Sequence, residues 1–103
     1  MIKVSYEVKD DLYVSLNVSG HANYDDIGKD IVCSSVSSIV TTTINAVISI
    51  DNDAIYYEYN HDKMLIILKK NDEITIKLID NMVDLLKSLM KDYPKNINVK
   101  EIK

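Results

Sequence analysis

Tryptophan and phenylalanine are absent from this 103-residue chain, and tyrosine supplies all seven of its aromatic residues. Ile, Val and Leu must therefore fill the core. A single cysteine cannot close an internal disulfide, nor can it build a cysteine-based zinc site alone. With no signal peptide at the N-terminus, this usage fits a cytoplasmic protein. One proline and two glycines leave few places where regular structure must stop. No basic stripe is present. Lys is diffuse and the net charge is −4, which disfavours direct binding to nucleic acid.

What is present suffices for one compact unit spanning residues 1–103. Hydrophobic residues make up 47% of the chain, which argues against disorder. A chain this short buries only about two-thirds of its unfolded surface, and pairing with a second copy would bury more. Residues 31–50 carry no charge, which raises the question of a membrane span. Nine of those twenty are Ser, Thr or Asn, so a buried helix is the better reading and no membrane partner is expected.

Residues 2–8 alternate apolar and polar side chains, as do residues 12–19. With Lys9-Asp10-Asp11 between them, the pattern predicts an antiparallel hairpin. A loop over 20–29 holds both glycines. Asp30 is placed to cap a helix from about Ile31 to Ser49. Its stripe is Val32, Val36, Ile39, Thr43, Ala46 and Ile50, widened by Val40, Ile44, Val47 and Ile48. Many of these are β-branched, which weakens helix propensity, but length and the lack of breakers favour helix. Ala54–Tyr59 and Lys63–Lys69 predict two strands around a turn at Asn60-His61-Asp62. Asn71 or Asp72 caps a second helix ending near Asp92, with Leu78, Ile79, Met82, Leu86, Leu89 and Tyr93 inward and Pro94 as its stop. Asn96–Ile102 predicts a last strand. The expected fold is α+β, in the order β-β-α-β-β-α-β, with a mostly antiparallel sheet packed against two helices.

Chemistry concentrates between Gly20 and Ser37. His21 follows a strand, and Cys33 is expected in the first turn of a helix, with eleven residues between them. There it would face free backbone N–H groups and the positive end of the helix dipole. Both favour thiolate, and a nearby imidazole would add to this as base or as imidazolium. The same N–H groups could hold an oxyanion. Asp30 opposes the thiolate unless it is neutralised as the N-cap; alternatively it orients His21. Ser37 lies one turn beyond Cys33 on the same helix face. Other features have plainer readings. His61 beside Asp62 is a solvated turn residue lacking partners for a metal. Tyr57 and Tyr59 share a strand face opposite Tyr56. The three could form a stacking platform for bases or peptide side chains, but no basic groove accompanies them and core or interface packing is expected.

Gly20-His21-Ala22 together with Gly28-Lys29-Asp30-Ile31-Val32-Cys33-Ser34-Ser35-Val36-Ser37 resembles the paired motif of the bacterial ribosomal-processing cysteine proteases, the Prp family. The resemblance extends over nearly the whole chain, with only generic agreement in the C-terminal half. It implies a cysteine endopeptidase with a Cys33–His21 dyad and supporting positions at Gly20, Asp30 and Ser37. It also implies a homodimer. No cofactor and no metal are expected. The implied substrate is bacterial large-subunit ribosomal protein twenty-seven, made with a short N-terminal extension that the family removes after a Phe-containing motif. Residues 22–29 are expected to close over bound peptide, hinged at Gly28. Two rival readings are a dimeric ribosome-associated adaptor that grips a peptide without cutting it, and a thiol sensor.

Overall fold

A computed structural model describes residues 1–20, 27–60 and 63–102, and the backbone alone of residues 27–30. The chain runs β1 (Ile2–Lys9), β2 (Leu12–Ser19), α1 (Ile27–Ile50), β3 (Ile55–Asn60), β4 (Lys63–Leu68), α2 (Glu73–Asp92) and β5 (Ile97–Ile102). The order matches the α+β expectation. The sheet order is β3-β4-β2-β1-β5, antiparallel except for the parallel pair β1–β5.

β1 and β2 join through a two-residue turn in which Asp10 and Asp11 both have positive φ, 54° and 64°. Both signs match a type I′ turn, whose twist suits a hairpin. The register slips between Glu7 and Val8, so that Glu7 faces Ser15 while Val8 faces Tyr13. This bulge ends the strict alternation of β2 near its start. Beyond it, Leu16 and Val18 face the core while Ser15, Asn17 and Ser19 pair with the polar side chains of β1 on the other face.

Both helices cover one face of the sheet. Ile2, Val4, Tyr6, Leu16, Ile66 and Ile97 are buried beneath them. α1 supplies Val32, Val36, Val40, Ile44 and Val47, with Thr43 among them. The expected stripe shifts accordingly: Ile50 is exposed, and Ile39 and Ala46 lie only at its margins. Ile31–Ile50 is the one span among the described residues apolar and long enough to cross a bilayer by composition. In this fold its valine stripe is core, and its opposite side carries Ser34, Ser38, Thr41 and Thr42 in solvent. Burial of that stripe overrides the weak helix propensity of its β-branched residues.

α2 is the more amphipathic helix. Asp72 is its N-cap, with Oδ2 accepting the Thr75 N–H at 3.1 Å. Ile79, Met82, Val83 and Leu86 are buried, and Leu78, Leu89 and Tyr93 pack at the edge of the core. The far end of the hairpin is tied to α2. Tyr13 donates its hydroxyl proton to Asp80 Oδ1 at 2.6 Å, and the Lys87 ammonium lies 5.3 Å from the centre of the Tyr6 ring.

Candidate functional site

The hairpin end opposite Tyr13 is where β2 stops at Gly20. Its φ of +91° is one that side chains rarely adopt, and a Cβ there would collide with the Met1 carbonyl oxygen. Only glycine lets the end of β2 lie against the start of β1 in this way. Gly20 carries the chain directly into His21, which lies outside the described residues together with residues 22–26.

α1 begins at Ile27, four residues before the expected start. Gly28 and Asp30 therefore lie in its first turn, and Cys33 in its second. Three expectations change. Asp30 is not the N-cap. Gly28 is helical rather than a loop hinge, and of the loop expected over residues 22–29 only 22–26 precede the helix, outside the described residues. Cys33 does not face the free N–H groups of the first turn, so the helix mouth loses its role as its anion hole. The reason is propagation. Once the valine stripe fixes the helix, each added residue gains a backbone bond, and one glycine costs only about 1 kcal/mol.

Cys33 is half-buried between Val32 and Val36, which lie in the core. The cysteine lines a cleft at the end of the sheet together with Ser37, one turn further along α1, and Gly20, at the end of β2. Val18, Val36 and Val40 supply apolar surface beneath them. Across the cleft stand Tyr59 and Met64, cross-strand partners in the β3–β4 hairpin, and Lys63 beside them. Thus three separately predicted positions, Gly20, Cys33 and Ser37, converge on one cavity.

Sequence reasoning missed the far wall. Of the core or interface packing expected for the tyrosines, the core half does not hold: Tyr59 is 69% exposed, and Tyr56 and Tyr57 are also exposed. The face assignment does hold. Tyr57 and Tyr59 pair with Ile66 and Met64 on the helix-bearing side, and Tyr56 pairs with Ile67 on the other. β3 is an edge strand, and the helices do not extend over its end. Ser35 makes a local bond, donating to the Ile31 carbonyl oxygen at 2.8 Å, and Ser34 is exposed. His61 and Asp62 lie outside the described residues. No group of three metal-ligating side chains occurs among the described residues.

Comparison with known proteins gives a consistent result. The family model described as "Cysteine protease Prp" matches residues 1–98. The ribosomal processing cysteine protease Prp of Bacillus subtilis (strain 168) is 30% identical over 98 residues, which cover 84% of this chain and 83% of that protein. The protein of the same name from Staphylococcus aureus (strain Mu50) is 29% identical over 104 residues, covering 96% and 97%. A crystal structure of the S. aureus protease with a covalently linked product peptide superposes with a TM-score of 0.89 at 24% identity. It covers 99% of this chain and 100% of that one.

Proposed function

The chain belongs to the cysteine protease Prp family, and from that premise we propose that it removes the short N-terminal extension of bacterial large-subunit ribosomal protein twenty-seven, with Cys33 as nucleophile and His21 as base. The observation that carries this reading is the meeting of Cys33, Ser37 and Gly20 in one cleft, with His21 bonded directly to Gly20. The named relatives are ribosomal processing proteases, which supports the substrate.

The reaction is acyl transfer in two halves. Cys33 Sγ bonds to the scissile carbonyl carbon while its proton passes to His21. The tetrahedral intermediate collapses, the C–N bond breaks, and His21 returns the proton to the leaving amine. A thioester remains on Cys33. Water, deprotonated by His21, adds to it, and the thiol leaves with a carboxyl product. Ser37 borders the reacting sulfur on the α1 side, where its hydroxyl would contact bound peptide. Asp30, in the first turn of α1, serves as the orienter of His21 rather than as a cap. The enzyme works in the cytoplasm as a homodimer, without cofactor or metal. Exposed Ile74 and Leu85, on one face of α2, offer apolar surface for pairing.

Incubation with the N-terminally extended ribosomal protein, followed by mass spectrometry, tests the proposal. The shortened protein should appear with the parent enzyme and be absent with Cys33→Ala and His21→Ala. A parent enzyme that binds the extended protein and leaves it intact would refute the proteolytic reading and favour a non-cutting adaptor. Sedimentation analysis would test the dimer.

A further inference from the structure

The far wall of the cleft is made by the β3–β4 hairpin, which lies outside the motif in sequence. Tyr59 sits on the helix-bearing face of the sheet, the face that is otherwise core. Its partner Met64 is half-buried, and Tyr59 itself is 69% exposed while lining the same cavity as Cys33. An aromatic ring left open on a core-facing surface, beside a nucleophile and over Val18 and Met64, is unfinished packing. Something apolar completes it.

We infer that Tyr59, backed by Met64, is a specificity-determining residue: it selects peptides that place an uncharged apolar side chain in the cleft next to the scissile bond. This rests on the proteolytic reading of Cys33. The occupant is a segment of the substrate peptide, because the cleft is continuous with the reacting sulfur. The floor supplied by Val18, Val36 and Val40 is apolar, so a charged side chain would lose its hydration there without a partner. The ring of Tyr59 offers its face, and the Met64 thioether supplies an adaptable contact that suits side chains of different shape.

Tyr56 is a built-in control. It belongs to the same strand, is also a tyrosine and is 48% exposed, but points to the other face of the sheet. The experiment uses the Cys33→Ala protein, so that binding is read without cleavage, alongside kinetics on the active enzyme. The probes are a peptide spanning the cleavage site of the extended ribosomal protein and versions in which each apolar residue within three of the scissile bond becomes Ala. Tyr59→Ala should weaken binding and raise KM about tenfold for the parent peptide, the effect of losing one ring-to-side-chain contact. For one of the Ala-substituted peptides, Tyr59→Ala should cause little further loss. Tyr59→Phe should behave like the parent, and Tyr56→Ala should change neither quantity. All variants should melt with the parent, since neither ring is buried.

Cleavage with no dependence on Tyr59, or an equal loss for every peptide, would overturn the inference and leave the proteolytic reading standing. Tyr59-dependent binding without cleavage by the active enzyme would overturn the proteolytic reading, and with it the specificity role, leaving Tyr59 as a peptide-binding residue only. No binding of any peptide would overturn the inference.

Discussion

Replacing Gly20 with alanine should be among the most damaging single changes outside the core, although it adds only a methyl group. The cost has two parts. An L residue held at a φ of +91° is strained by about 1–2 kcal/mol relative to glycine. The added carbon also meets the Met1 carbonyl oxygen, which is backbone and has little room to retreat. The next residue, Ile2, is buried, pairs with Ile97 in the parallel ladder, and donates its N–H to the Asn96 oxygen at 2.9 Å. Forcing such a contact apart costs about 1–3 kcal/mol. Together the loss is about 2–5 kcal/mol, a large share of a total stability on the order of 5–15 kcal/mol. Thermal unfolding followed by circular dichroism should show Tm falling by at least about 8 °C. The same substitution at Gly28 should act in the opposite direction. That residue is helical, so alanine should raise stability by up to about 1 kcal/mol. A Gly20→Ala protein melting within about 2 °C of the parent would refute the argument, because 1 kcal/mol alone shifts a domain of this size by more. Should enough of it fold, its cleavage activity should also fall, since Gly20 borders the cleft and carries His21.

Other consequences can be checked in the same way. Asp10 and Asp11 both hold positive φ in the first hairpin turn, so Asp10→Asn combined with Asp11→Gly should stabilise the protein by about 1 kcal/mol in urea titrations. The Thr75 backbone N–H, followed by its hydroxyl, holds the Asp72 carboxyl below its ordinary value of 3.8. Parent protein should therefore be more stable than Asp72→Ala at neutral pH, and this lead should persist above 3.8 and vanish as pH falls through the lower folded-state value. Burial, and then the hydrogen bond to Asp80, push the Tyr13 hydroxyl above its ordinary value of 10.0. The stability this represents is complete below that value and lost as pH rises beyond it, because the unfolded chain releases the proton first. Tyr13→Phe should cost about 1 kcal/mol at neutral pH and flatten the alkaline loss of stability seen by fluorescence or circular dichroism.

The sequence makes some of this fold plain and conceals the rest for identifiable reasons. α2 is legible because polar and apolar residues divide cleanly around it and Asp72 and Pro94 mark its ends. The hairpin is legible because β1 and β2 alternate on either side of two aspartates. The start of α1 is not. Asp30 looks like a cap, but it is equally suited to a first turn, where a carboxylate faces the positive end of the helix. The pairing of Cys33 and Ser37 on one face follows from helix geometry alone. What no local pattern encodes is that β4 lies against β2 with Val18 opposite Met64. That register brings Tyr59 to the cleft, and without it the tyrosines of β3 read as packing. The Gly-His-Ala and Cys-Ser motifs point to the proposed reacting residues through family likeness, whereas composition leaves a lone cysteine in an apolar helix open to a merely structural role.

On the proposed reading, the placement of the cleft explains how so small a domain holds its reacting sulfur steady. Cys33 is flanked by Val32 and Val36, at 0% and 4% exposure, so the proposed nucleophile is mounted on a buried stretch of α1. A sulfur fixed in this way cannot follow its substrate, and the adjustments must come from the other contributors. On one side the chain leaves the sheet through Gly20, which is held against the Met1 carbonyl oxygen and is followed in sequence by His21. On the other side an edge strand presents the ring of Tyr59, which is 69% exposed. Each of the three parts is stabilised by a different contact: helix packing, backbone conformation and strand pairing. Damage to one should therefore leave distinct signatures. Loss at Gly20 should appear in stability and cleavage together, whereas loss at Tyr59 should appear in peptide affinity while the fold remains intact.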